Sequence, residues 1–374
     1  MKFSLIPVYF ALLLFSVSLT GCRERTRLFA GSYTEAGNPG LSVYSLNPEN
    51  GSLLLLSQSD AGPDPSFFCI SEKRRLIYAI NEVSGFKGAA GGGLTTLKFS
   101  RNLKNIDKIS EINILNGGPC YISLTPDNIY LLIANYKGGS IAVVKLDKKG
   151  IPIKVTDTII YKSREGKNSH AHMISADPPG KRIYVTDLGL DRIMIYTLNN
   201  SSGKLIPYNE DGIPLSPGSG PRHFVFSKDG SVMYVIGELN STISAYKVDD
   251  IKGLIHIQTV STLRDGFAAS NSSADIHIGK SGDYLYGSNR GENTIVTFRI
   301  LKNGQLSLAG HTDCGGNWPR NFVIDPSGKY ILVGNQRSDD ISVFRIDDKT
   351  GLPVKTGNNN KISAPACLKF LNFY

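Results

Sequence analysis

A strand–turn–strand unit recurs seven times along this 374-residue chain, and that repeat limits the possible folds more than any other feature. Pro221-Arg222-His223-Phe224-Val225-Phe226, the turn at Asp229-Gly230 and Tyr234-Val235-Ile236-Gly237-Glu238 form one copy. Pro319-Arg320-Asn321-Phe322-Val323-Ile324, the turn at Ser327-Gly328 and Leu332-Val333-Gly334-Asn335-Gln336 form another. A large apolar residue near the end of the second strand serves as a ruler: Phe29, Tyr78, Leu132, Tyr184, Tyr234, Tyr286 and Leu332, at intervals of 46 to 54 residues. Each copy continues into an alternating third strand, such as Thr242-Ile243-Ser244-Ala245-Tyr246, and a more variable fourth, such as His256 to Thr262.

Four short strands per unit of about 50 residues is propeller arithmetic, so the expected fold is all-β: a seven-bladed β-propeller of four-stranded antiparallel blades. The first marker, in Leu28-Phe29-Ala30-Gly31-Ser32, lacks a preceding inner strand. The chain end, Pro365-Ala366-Cys367-Leu368-Lys369-Phe370, has the look of that strand without its successor. A blade shared between the two termini would close the ring and remove the open sheet edge. The 39 glycines and 18 prolines suit the many turns this requires.

The N-terminus reads as a leader. Lys2 precedes the apolar run Leu5 to Val17, which is too short for a spanning helix, and Leu19-Thr20-Gly21-Cys22 follows. This resembles the bacterial lipobox, which implies cleavage before Cys22 and lipidation of that residue. The expected organisation is a signal over 1–21, a short tether over 22–27 and the propeller over 28–374, held at the cell envelope by acyl chains. An ordinary secretory signal is the alternative. The net charge of +9 suits an anionic ligand or a solvated basic surface; its residues are scattered and no nucleic-acid motif appears. Cys69, Cys120, Cys314 and Cys367 show no metal-ligand spacing and read mainly as small core residues. No metal, cofactor or nucleic-acid partner is expected, and a monomer is.

In a propeller the first strand of each blade lies nearest the axis and the second runs antiparallel to it. The start of strand one and the end of strand two therefore open on one face. Alignment of the units puts Ser66, Cys120, His172, Arg222, Ala274, Arg320 and Ala366 at the first position. The second position is held by the pairs Ser32-Tyr33, Asn81-Glu82, Asn135-Tyr136, Asp187-Leu188, Gly237-Glu238, Asn289-Arg290 and Asn335-Gln336. One channel mouth thus gathers three arginines, His172, Glu82, Glu238 and several amides, as a funnel for a small anionic ligand would. Inter-blade salt bridges such as Glu238 with Arg290 are the structural reading of the same residues. Arg320, Gln336, Asn289 and His170 are further candidates for substrate contact. His223 and His277 alternate with apolar neighbours and read as satisfied core histidines. Cys120 has no evident activating base. Asn135-Tyr136 and Asp187-Leu188-Gly189 read as rim and turn elements, and Gly88 to Gly93 as a loose loop without a phosphate-binding context.

The motifs Gly220-Pro221-Arg222-His223, Glu238-Leu239, Ser288-Asn289-Arg290-Gly291, Pro319-Arg320-Asn321-Phe322 and Gly334-Asn335-Gln336 resemble the seven-bladed lactonase family, which includes propeller-type 6-phosphogluconolactonases and carboxy-cis,cis-muconate cyclases. The likeness runs over residues 27 to 371. It implies metal-independent hydrolysis of a small anionic lactone or sugar-acid substrate, or the reverse ring closure. By motif, the family's site falls on His172, Arg222, Glu238 and Arg290. The arginines would hold the substrate's anionic group and polarise the lactone carbonyl, and Glu238 or His172 would activate water. An export signal sits poorly with a cytosolic sugar phosphate as substrate. The alternative function is a non-catalytic, membrane-anchored propeller that binds a small anion, a glycan or a protein.

Overall fold

The computed structural model describes residues 26 to 371 apart from positions 36 and 115. The leader, Cys22 and most of the tether lie outside the described residues. Among those described there is no helix, and the strands form seven antiparallel blade sheets plus one small hairpin. Six blades start on the inner strands Phe67–Ser71, Pro119–Leu124, Ala171–Ala176, Pro221–Phe226, Ser272–Ile278 and Pro319–Ile324 and are numbered one to six in that order. In the closing blade the inner strand is Pro365–Leu371, which pairs antiparallel with Arg27–Ser32 in the register Phe29↔Lys369. The two ends of the chain therefore share a sheet, as the split repeat requires. Arg27 is already in this strand, so the propeller starts one residue earlier than the expected boundary at 28.

All seven ruler residues lie in second strands and are buried at 0–1% exposure. They form the apolar seams between neighbouring blades, and full burial of such a side chain is worth about 1.5–3 kcal/mol. Three of the ruler tyrosines add a repeated latch. The hydroxyl of Tyr78 donates to Gly150 O at 2.7 Å, Tyr234 to Gly304 O at 3.0 Å and Tyr286 to Gly351 O at 2.8 Å. Each carbonyl belongs to the hairpin between strands three and four of the next blade. Gly150 shows why that turn carries glycine: its φ is +89°, and a Cβ there would meet the Tyr78 hydroxyl at 2.8 Å.

The glycine-rich stretch after Phe86 is not a loose loop. Gly85–Phe86 pairs with Ala89–Ala90 in a small hairpin, and Gly92 opens the third strand of blade one. Close packing explains the glycines at the strand start, since a Cβ on Gly93 would lie 2.5 Å from the Phe86 ring.

Candidate active site at the channel mouth

The inner strands are bulged at one recurring place. Pro119 pairs with Asn135 and Tyr121 with Ala134, which leaves Cys120 as the extra residue. The same slip leaves His172 extra in blade three, Arg222 in blade four, Arg320 in blade six and Ala366 in the closing blade. In blade five two residues, Ala274 and Asp275, take this place. A bulge re-aims a side chain without ending the strand. Here it brings the first-position residues of successive blades towards the axis at one mouth.

Glu238 is the hub of the mouth. Its Oε2 lies 2.8 Å from Arg222 Nε and 2.9 Å from Arg290 Nη2, so one carboxylate oxygen bridges guanidinium groups of blades four and five. The arginine side chains are almost wholly buried, and that of Glu238 keeps 19% exposure. Burial raises the Glu238 pKa, but Arg290, Arg222 and Arg320 outweigh it and hold the carboxyl below its usual range. Arg222 donates from Nη1 to Ala274 O at 2.7 Å, and Arg290 donates from Nε to Ser272 O at 3.1 Å. Both heads are thereby fixed before any ligand arrives.

His172 is buried beside this cluster, and its Nδ1 has no hydrogen-bond partner among the described residues. Burial first, then the positive charge of Arg222, holds its pKa well below the ordinary histidine value, so the ring is neutral at physiological pH. Tyr136 packs edge-on to His172, with ring centres 5.7 Å apart, and stacks on His170 at 4.5 Å. The His170 Nδ1 lies 3.0 Å from Tyr136 O. Across the ring, the Tyr33 hydroxyl donates to Glu82 Oε2 at 2.8 Å, and Arg320 Nη2 lies 3.7 Å from the same oxygen. Gln336 keeps a buried amide oxygen without a partner among the described residues.

The structure thus brings together His172, Arg222, Glu238 and Arg290, with Arg320, Gln336 and His170 on the same mouth. It corrects the assignment of Asn289 to substrate contact. Asn289 is fully buried and turned into its own blade. Its Nδ2 donates to Thr262 O at 2.7 Å and Thr294 Oγ1 at 3.1 Å, and its Oδ1 accepts from Ser273 Oγ at 2.8 Å. The side-chain amides of Asn81, Asn135 and Asn335 likewise donate from Nδ2 to Ala61 O, Ser140 Oγ and Asp340 Oδ1, and Asp187 accepts from Ser169 Oγ and the His170 N–H. The asparagine or aspartate that opens five of the end-of-strand pairs is therefore a tie at the blade's edge, and of the amides expected in the ring only Gln336 stays at the mouth. The second residue supplies the mouth.

Cys120 is buried, with Sγ 3.2 Å from His172 O, and burial drives its thiol pKa upward, which leaves it inert as a nucleophile. His223 and His277 are satisfied, as expected, but by a group the sequence reading passed over. Asp275 accepts from His223 Nδ1 at 2.7 Å, His277 Nε2 at 3.0 Å and Asn321 Nδ2 at 2.5 Å. These residues line a cavity of about 180 Å³ with Phe67, Tyr121 and Lys369. An acidic residue between Ala274 and Ile276 in an apolar inner strand was the signal available. Tyr33 and Tyr136 were visible only as end-of-strand residues, and Trp318, whose ring lies 5.5 Å from the Arg290 guanidinium carbon, was not singled out.

A profile of the family described as lactonase, 7-bladed β-propeller, matches residues 27–370. A 6-phosphogluconolactonase of Formosa agariphila is 31% identical, over 92% of this chain and 99% of that protein. A Bacillus subtilis protein of the same name is 25% identical over 92% and 98%. Among solved structures, the periplasmic gluconolactonase of Pseudomonas aeruginosa superposes with a TM-score of 0.87 at 29% identity, covering 93% of this chain and 99% of that one.

Proposed function

This chain belongs to the seven-bladed β-propeller lactonase family and is a lactone hydrolase, and we propose that its substrates are sugar-acid lactones opened at the mouth around Glu238. The observation that carries this reading is the bridge of one carboxylate oxygen between Arg222 and Arg290 beside a neutral, under-bonded His172. Water adds to the lactone carbonyl carbon, the ring C–O bond breaks, and the products are a carboxylate and a hydroxyl. Negative charge builds on the carbonyl oxygen, and fixed guanidinium donors stabilise it without reorganising. Glu238, ionised and pinned on one side, keeps both arginines aimed at the mouth. His172 has a ring nitrogen available to take a proton from water and return it to the departing ring oxygen. Membership of a hydrolase family weighs against a non-catalytic binding module.

The location we propose is the cell envelope, with Cys22 as the lipid attachment point. The apolar run Leu5–Val17, the Leu19-Thr20-Gly21-Cys22 motif and the likeness to a periplasmic gluconolactonase support it. The test is hydrolysis of glucono-δ-lactone and 6-phosphoglucono-δ-lactone by residues 23–374, corrected for spontaneous opening. The variants Glu238→Gln and Arg290→Ala are expected to lower kcat/KM by about 100-fold or more with the melting temperature held. Full activity in both would remove the site from the mouth.

A further inference from the structure

Trp318 is the only tryptophan in the chain and stands in a conformation few large residues adopt, with φ at +66°. It precedes Pro319, at the entry to the inner strand of blade six. The matching entries of blades two and four carry Gly118 and Gly220, with φ at +65° and +55°. In all three the carbonyl of this residue accepts the N–H of the mouth residue: Tyr136 on Gly118, Glu238 on Gly220 and Gln336 on Trp318. The backbone thus asks for glycine, and a tryptophan sits there against its own preference. Strain of this kind collects at ligand clamps.

The side chain shows what the strain holds in place. The Arg337 guanidinium carbon lies 3.4 Å from the centre of the Trp318 ring, the spacing of a flat stack, and the Arg290 carbon lies 5.5 Å from the same centre. The two guanidinium groups are therefore no farther apart than those distances combined. Arg290 is engaged by Glu238 and the backbone. Arg337 is exposed, and among the described residues its side chain has no hydrogen bond or ion pair, only the ring beneath it. Gln336, next to it, holds the unpartnered amide oxygen at the same edge. A guanidinium laid flat on an aromatic face is pre-organised and keeps its donor edge for an oxyanion.

We propose that Arg337, held by Trp318, is a distal anion subsite that selects lactones bearing a second anionic group, a phosphate ester or a carboxylate, remote from the reacting carbonyl. This rests on the lactonase reading of the mouth and specifies its substrate.

The experiment compares kcat/KM for 6-phosphoglucono-δ-lactone, a lactone of a sugar diacid, and uncharged glucono-δ-lactone in wild type, Arg337→Gln, Trp318→Gly and Trp318→Phe. Wild type is expected to favour an anionic lactone. Arg337→Gln should raise KM for it about tenfold, with kcat and the uncharged lactone unchanged. Trp318→Gly, which suits the backbone, should fold normally and share the defect; Trp318→Phe should restore part of it. The phosphate and diacid arms tell which anion is taken. Equal effects of Arg337→Gln on charged and uncharged lactones, or none, overturn the proposal while hydrolysis itself stands. If no lactone is hydrolysed, the lactonase reading fails separately. Fluorescence of the sole tryptophan, titrated with 6-phosphogluconate and with glucarate, then decides: a saturable change with either, absent in Arg337→Gln, supports the subsite, and no change with both overturns it.

Discussion

Arg222 and His223 are neighbours in sequence, and each heads a different layer of the same channel. The upper layer, with Arg222, Glu238, Arg290, Arg320 and His172, is charged, partly open and incompletely bonded: the Nδ1 of His172 and the amide oxygen of Gln336 lack partners among the described residues. The lower layer, with His223, Asp275, His277 and Asn321, is built from equally polar side chains, yet its hub is satisfied. Asp275 receives three side-chain donors and the Phe322 N–H at 3.3 Å, and Asn321 Oδ1 accepts from Leu368 N at 2.6 Å. That network crosses blades four, five, six and the closing blade. Burying polar groups is tolerable only when they are paired, so the lower layer reads as a weld. The upper layer leaves acceptors unpaired at the mouth, as the proposed substrate site requires. Residue type does not separate the two layers; the state of their hydrogen bonding does.

The strongest way to break this contrast is Asp275→Asn. Burial opposes ionisation of Asp275, but His277 and the hydrogen bond from His223 hold its pKa well below the usual carboxylate range. Its loss leaves buried donors facing an amide and is expected to cost about 3 kcal/mol of stability in urea unfolding. The expected loss in kcat/KM at 25 °C is below about tenfold, since none of its bonds reaches Glu238. Normal stability with abolished hydrolysis would move the lower layer into the chemistry.

The distinction between the layers also marks how far the sequence could be read. Seven units, the split closing blade and the mouth positions follow from periodicity, because a two-residue strand period and a repeat of about 50 residues leave few other solutions. Alignment of repeats also puts His172, Arg222, Glu238 and Arg290 at one mouth, and the resemblance to the lactonase family, not the periodicity, singled them out from Arg320 and Glu82. Asn289 was misread because the pair Asn289-Arg290 offers two adjacent polar residues, and only the pleat decides that one turns into the blade and the other to the mouth. Asp275 was missed because the bulge of blade five, where Ala274 and Asp275 together stand against Ser288, has no sequence signature of its own. Trp318 was missed because a left-handed φ at a tryptophan is what propensity argues against.

A smaller effect comes from pH and sharpens the contrast from both sides. His172 and His223 are both held neutral, with pKa values below the ordinary 6.5. Burial is the larger cause in each and Arg222 the next, and His223 is brought down to about 4. A group that binds protons less well when folded adds stability that is present above its unfolded pKa and lost as pH falls from that value through the folded one. Stability is thus expected to be level above pH 7 and to fall between about pH 6.5 and 4, by up to about 3 kcal/mol for His223 alone. Urea unfolding at pH 7, 6 and 5 checks this, and His223→Gln should flatten the slope by removing one of the two contributions. Activity should show no inflection near pH 6.5, because the neutral form of His172 persists well below it.

The smallest expected effect concerns Cys120, which has a mouth position but the bonding of the lower layer. Its thiol points at backbone, with Sγ 3.2 Å from His172 O and 3.6 Å from Ala171 O. Its pKa is raised, chiefly by burial and next by the charge of Glu82, so the thiolate a nucleophile needs is absent at neutral pH. Cys120→Ala should therefore change kcat/KM by less than about twofold, and iodoacetamide should leave hydrolysis intact. Any larger loss in Cys120→Ala would have to pass through the His172 backbone that Sγ touches, and would then appear in the proton-transfer step and leave KM unmoved. Inactivation by iodoacetamide in wild type but not in Cys120→Ala would instead put a reactive thiol in the upper layer, and the division drawn between the two layers would fail at that residue.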